Sequence, residues 1–188
     1  MEVFCNLMLS DVQRERLQNG LGKVQLYHFD ESVLESVARP YFEKSEIVFG
    51  NPPSSWIATH PSLRWVQLES VGFGEYLSLD WDTLGKRVTV TNLSGFFADP
   101  VAESILAGVL SIYRGVDQLV LLKHNVDWQV DSLRPHLRTL NASHVLLFGQ
   151  GAINSRFAEL LLPFRCDIVR FGREWTNASL DKALVHAD

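Results

Sequence analysis

The sequence predicts an α/β protein in two parts, an open parallel sheet followed by the opening strands of a second sheet. Three observations carry that prediction. Short apolar runs alternate with polar amphipathic runs over residues 1–98, as parallel strands joined by helical crossovers require. A long helical stripe begins near Pro100. Beyond it, Val145-Leu-Leu-Phe-Gly149-Gln-Gly151-Ala-Ile153-Asn154 is an apolar run that stops at two glycines spaced G-x-G and then becomes an amphipathic helix. Strand, tight turn and helix N-terminus in that order form a phosphate cradle.

Val3 to Leu9 reads as the first strand and Ser10-Asp11 as a helix start. Met1 to Leu9 has no basic n-region and an acid at its second residue, which argues against a signal sequence. Asp11 to Asn19 is the first polar amphipathic run, Val24 to Tyr27 the second strand, Glu31 to Ala38 the next crossover, and Ile47 to Phe49 the third strand. After Asn51-Pro-Pro53, Pro61 to Leu68 gives a fourth strand ending in the loop Glu69 to Gly74, and Val88 to Thr91 gives a fifth that leads into Asn92 to Ala98. Loops after strand ends are where open parallel sheets bind ligands.

Asp99-Pro100 reads as an acidic N-cap followed by proline at the first helical position. Val101, Ile105, Val109, Ile112, Val116 and Leu119 then recur at helical spacing. They predict one helix of about 20 residues, longer than the average 11 or 12, bridging two halves. Lys123 to Asn141 is polar and irregular and reads as a surface excursion. His144 to Phe148 opens the second sheet, and Ile153, Phe157, Leu160, Leu161 and Phe164 form one stripe of a helix packed on it. Cys166 to Phe171 is the next strand and Ser179 to Ala187 begins a further helix. A dinucleotide half-site has at least three strands, so this second part is expected to be incomplete. The expected division is residues 1–98, a bridging helix over 99–122, and the N-terminal part of a dinucleotide-binding domain over 123–188.

Composition narrows the partners. The chain of 188 residues is 46% hydrophobic and 21% charged, with net charge -5 and a pI near 5.7. That lacks the basic field nucleic acid or anionic membrane would require, and no run approaches the roughly 18 apolar residues of a membrane span. Cys5 and Cys166 fall in separate predicted strands, which fits small buried hydrophobes in a reducing cytoplasm better than a disulfide framework. The six histidines show no paired ligand spacing, so no metal site is expected. Neither Ser70 nor Ser155 sits in a G-x-S-x-G elbow, which argues against a hydrolase.

The chemistry of the cradle rests on backbone. Glycine permits the tight turn at Gly149 and lets the chain approach a pyrophosphate at Gly151, and the helix that begins with Ala152, Ile153 and Asn154 supplies unpaired N–H groups and a positive dipole end. Asn154 departs from G-x-G-x-x-G, where a third glycine allows close helix–strand contact. The second strand should end near Gly172, in Phe171-Gly172-Arg173-Glu174. With no carboxylate at the tip and Arg173 beside it, a 2′-phosphate is accommodated better than a free 2′-hydroxyl, which favours NADP over NAD. The alternative is a solvated Arg173 with Glu174 holding the ribose.

Leu63 to Tyr76, Val88 to Gly95, Val101-Ala-Glu103 and Gly149-Gln-Gly-Ala-Ile153 stand in the order found in the D-isomer-specific 2-hydroxyacid dehydrogenases. The chain resembles that family, in the manner of glyoxylate/hydroxypyruvate reductases, over nearly its whole length. The resemblance implies a flavodoxin-like substrate domain, an interdomain helix and a Rossmann domain. It further implies that Val71, Gly72 and Phe73 offer backbone N–H groups to a substrate carboxylate, the alternative being a tight turn after a buried strand. Hydride would move between NAD(P)H and a small 2-oxo or 2-hydroxy acid. The family's catalytic arginine, glutamate and histidine are expected beyond Asp188, so no catalytic residue is assigned and the 188 residues are expected to be a truncated, inactive portion. A homodimer through the interdomain helix is implied as well. The same fold also serves non-catalytic dinucleotide-binding or interaction modules, and fold alone does not choose between the two.

Overall fold

A computed structural model describes residues 1–30, 32–124 and 130–188. They form two compact units, Met1–Ser94 and Gly95–Asp188. The first unit is a five-stranded parallel sheet in the order β2-β1-β3-β4-β5, built from β1 (Glu2–Cys5), β2 (Gln25–His28), β3 (Ile47–Phe49), β4 (Trp65–Gln67) and β5 (Thr89–Thr91). Val3 pairs with Leu26 on one side and Ile47 on the other. Such central strands bury both faces, which is why they read as continuous apolar runs.

The crossovers are α1 (Asp11–Leu21), α2 (Glu35–Phe42), α3 (Ser54–Thr59) and α4 (Trp81–Leu84). Ser10 caps α1 through a reciprocal capping box with Gln13, the arrangement its sequence announces. β1 stops at Cys5, short of the expected Leu9, because Asn6 N–H donates to Phe49 O (3.0 Å) and the chain then turns into the Ser10 cap. α2 starts at Glu35, later than Glu31, because the Asp30 carboxylate takes the backbone N–H (2.9 Å) and the hydroxyl of Ser32, a local turn that competes with helix. The same two bonds hold the Asp30 carboxyl below its ordinary range. Sequence periodicity gave no sign of α3, whose Trp56 and Ile57 are buried. Its residues join Phe4, Phe42, Leu63, Val66 and Tyr76 in the core, with Phe4 edge-on to Phe42 at 5.5 Å. His60 is a core residue too. Its Nδ1 accepts from Ser62 N–H (3.1 Å), so Nε2 is the nitrogen that donates to Phe42 O (2.9 Å).

The second unit begins with α5 (Ala98–Tyr113) and α6 (Val116–His124), followed by α7 (Val130–Leu133). The single helix expected over 99–122 is thus two helices, bent by 65°. Gly115 explains the break: its φ is +62°, and a Cβ there would stand 2.8 Å from Leu137 Cδ2. Left-handed glycine terminates helices without steric cost. Asp99 is not the cap either. Phe97 holds that position, while the Asp99 carboxylate meets Arg156 Nε at 2.6 Å. Within 123–141, expected to be a surface excursion, residues 125–129 lie outside the described residues, and Leu140 is buried in the core.

β6 (His144–Phe148) and β7 (Asp167–Phe171) pair in parallel from His144 opposite Asp167 to Phe148 opposite Phe171. Between them runs α8 (Ala152–Leu161), and α9 (Asn177–Leu184) follows β7 behind a Thr176–Ser179 capping box. α5 and α8 cover one face of the pair, where Ala102, Leu147, Phe157, Ala158 and Leu161 are buried and Val145 and Ile168 pack against them. No single helix among the described residues is long and apolar enough to cross a membrane.

The two cysteines differ in environment. Cys5 is buried in β1 and burial pushes its thiol pKa up, whereas Cys166 is half-buried, just ahead of β7 rather than inside it, and rests against Leu140 O. Thiolate access governs alkylation, so a thiol reagent at neutral pH should modify Cys166 first and Cys5 only as the first unit unfolds. Equal native-state rates would contradict this packing.

Candidate functional site

β6 delivers the chain to Gly149, whose φ of +101° only glycine adopts without strain. The Gly149 N–H donates to Phe171 O (2.8 Å), tying the turn to the tip of β7. Gly151 then caps α8 in an extended conformation (φ -74°, ψ 177°) with nothing within 4 Å of where a Cβ would stand. Behind it, the N–H groups of Ala152, Ile153 and Asn154 open α8, and helix geometry gives them no intrahelical acceptor. The result is a bare backbone surface at a positive helix end.

Asn154, the departure from the glycine pattern, has a structural role of its own. Its amide donates to Phe148 O (2.7 Å) and Gly149 O (3.1 Å), so the side chain fastens the start of α8 to the end of β6. That amide is committed to the protein.

The cradle and the tip of β7 enclose a cleft of about 810 Å³, lined by Gly149, Gln150 and Gly151 on one side and Arg170 through Trp175 on the other, with Ser179 at the start of α9. Of the residues the sequence singled out, Gly149, Gly151, Gly172 and Arg173 meet in this cleft; Ala152, Ile153 and Asn154 stand behind it. Glu174 lines it beside Arg173. Sequence reasoning missed Gln150, Arg170, Trp175 and Ser179. Gln150 could have been found as the unspecified residue of G-x-G, and Arg170 as the last outward position before the strand tip. Trp175 carried no periodic signal; its ring lies edge-on to Phe171 at 6.3 Å, and Phe171 stacks on Phe148 at 5.4 Å.

In the first unit, the loop after β4 is fixed by its carbonyl groups. Ser70 O accepts from Leu93 N–H (3.1 Å), Val71 O from Asn92 Nδ2 (2.8 Å) and Gly72 O from the Ser70 hydroxyl (2.6 Å). The N–H groups of Val71, Gly72 and Phe73 find no acceptor among the described residues, and all three residues are exposed. The loop therefore holds three consecutive donors in a backbone fixed by its own carbonyls. An apolar cavity of about 650 Å³ adjoins it, lined by Leu68, Phe73, Tyr76, Trp81, Val90 and Asn92 among others. The Tyr76 hydroxyl donates to Pro52 O (2.9 Å), and burial holds its pKa far above the ordinary range.

No protein-family profile matches the chain, and no curated protein sequence matches it. Solved structures do. The chain is similar to D-lactate dehydrogenase from Aquifex aeolicus complexed with NAD and lactic acid, with a TM-score of 0.76 and 21% identity over 100% of this chain and 59% of that one. It is also similar to NAD-dependent formate dehydrogenase from Staphylococcus aureus in complex with NAD (TM-score 0.70, 17% identity, 92% and 56% covered). An acyclic imino acid reductase in complex with NADPH and D-Arg gives a TM-score of 0.72 at 15% identity, with 94% and 58% covered. The chain spans 56% to 63% of the length of these and other neighbours. Over the part of their length that it spans, the chain has the fold of these dehydrogenases, the α/β fold that its resemblance to the D-isomer-specific 2-hydroxyacid dehydrogenases implies.

Proposed function

We propose that these 188 residues supply the cofactor cradle and the substrate-carboxylate loop of an NAD(P)-dependent oxidoreductase acting on a small 2-oxo or 2-hydroxy acid, with NADP(H) preferred. One observation carries the reading: a turn bare of side chains at Gly149 and Gly151, at the N-terminus of α8, shares a cleft with Arg170 and Arg173, while the strand tip itself is the glycine Gly172 and the one carboxylate lining the cleft, Glu174, lies two residues beyond it. Backbone N–H groups at the cradle take the pyrophosphate. Arg173 takes the 2′-phosphate through a charge-assisted contact. The N–H groups of Val71, Gly72 and Phe73 take the substrate carboxylate. The bound dinucleotide would supply the hydride. The general acid/base and the polarising arginine come, by the resemblance, from the part of the fold that the neighbours have and these residues do not span. For the same reason a purely dinucleotide-binding role is the second reading.

We infer association from exposed apolar residues on α5 and α6: Ile112, Val116, Leu119, Val120 and Leu121 are all exposed. A surface patch of this kind marks a contact site, and we propose a second copy as the partner. Light scattering should give a dimer mass, and Ile112→Asp with Val120→Asp should return a monomer; a wild-type monomer at micromolar concentration would end the proposal.

Three glycine and arginine variants test the cleft. Gly149→Ala should cost about 1–2 kcal/mol of stability because an L side chain is strained at that φ. Gly151→Ala has open space and ordinary φ, so its melting temperature should match wild type while affinity for NADPH and NADH falls together. Arg173→Ala should weaken NADPH about tenfold or more, the worth of a hydrogen bond to a charged group, and leave NADH unchanged. Calorimetric titration reads all three, and equal binding of NADH and NADPH by wild type would sink the NADP(H) preference. With glyoxylate and NADPH the 188 residues should show binding and no turnover; a measurable rate would place the acid/base within them.

A further inference from the structure

Gln150 has no counterpart in the cradle chemistry described so far. It is the middle residue of Gly149-Gln-Gly151, it is exposed, and its side-chain amide has no hydrogen-bond partner among the described residues. In the structure its amide lies beside the tip of β7 rather than out in solvent. A Cβ added to Gly172 would stand 3.1 Å from Gln150 Nε2 and 3.2 Å from its Cδ. The glutamine therefore lies across the bare Cα at the tip of β7, and both residues line the cleft that holds Arg170 and Arg173.

The tip of this strand is where a dinucleotide site places the group that meets the adenosine ribose. Gly172 brings no side chain, so Gln150 fills that volume from the neighbouring loop. We propose that the Gln150 amide, laid over Gly172, meets the 2′ substituent of the ribose and, with Arg173, selects a 2′-phosphate over a hydroxyl; the inference rests on the dinucleotide reading above. The chemistry of an amide suits that task. Its NH₂ donates to phosphate oxygens and it carries no charge to repel them, while a carboxylate in the same place would accept from a 2′-hydroxyl and oppose a 2′-phosphate. A side chain at 172 would press on the amide, which would have to give by a few tenths of an ångström.

The test is calorimetric titration of the full 188-residue chain with NADPH and NADH. Gln150→Glu should weaken NADPH about tenfold or more while NADH is unchanged or tighter, reversing the preference. Gln150→Ala should weaken NADPH about threefold to tenfold with no gain for NADH. Gly172→Ala, whose Cβ shifts the amide by a few tenths of an ångström, should weaken NADPH less than Gln150→Ala does and add nothing in the double variant. Melting temperatures of the Gln150 variants should equal wild type, since the side chain is exposed. An unchanged NADPH-to-NADH ratio in Gln150→Glu, on a wild type that prefers NADPH, overturns this inference and leaves the cradle standing. A wild type that prefers NADH overturns both the 2′-phosphate reading and this one, and a wild type that binds neither dinucleotide overturns the cradle itself.

Discussion

The second unit depends on one turn. β6 and β7 each contribute five residues paired along their whole length, and the bond from Gly149 N–H to Phe171 O carries that ladder into the turn. Gly149 then takes a positive φ, which aims the next residues into a helix start. Asn154 completes the closure by donating to both Phe148 O and Gly149 O. Strand register, helix entry and the exposed N–H surface are therefore fixed together. A cradle assembled this way needs no charged side chain for its shape, which leaves the charges at Arg170 and Arg173 free for a ligand.

Much of the architecture was legible because core burial writes itself into apolar spacing. β3 and β6 fall where the runs Ile47 to Phe49 and His144 to Phe148 placed them, since each is a continuous apolar run with no polar alternation to blur its ends. Ser10 was a signal of the same quality, because a cap acts through its own side chain, whereas the Thr176 cap starts α9 two residues ahead of the expected Ser179. What escaped was structure decided by a single backbone angle or by a contact distant in sequence. The apolar stripe from Val101 to Leu119 runs unbroken across Gly115, so periodicity reports one helix where φ at one residue makes two. α3 is short, and its apolar residues make sense only once Phe42 and Leu63 are seen beside them.

At the site the boundary runs along the same line. Gly149, Gly151, Gly172 and Arg173 could be placed by counting from a motif. The loop at Val71 to Phe73 was named from resemblance, and what makes it a set of donors is the capture of its carbonyls by Ser70, Asn92 and Leu93, none of which a motif records. Gln150 can be located within G-x-G, but what its side chain lies against was hidden for a related reason. Its position over Gly172 is a packing relation between two loops, and neither residue alone predicts it.

The double donation of Asn154 also sets a chemical limit on the turn. Two carbonyl oxygens converge on one NH₂ group, so the site accepts a short side chain that donates and rejects one that only accepts. Loss of the amide to a carboxylate, whether by substitution or by slow hydrolysis of the side chain, would place negative charge against both carbonyls and beside the surface built for an anion. The residue that departs from the glycine pattern is thus the one whose side-chain chemistry holds the turn together.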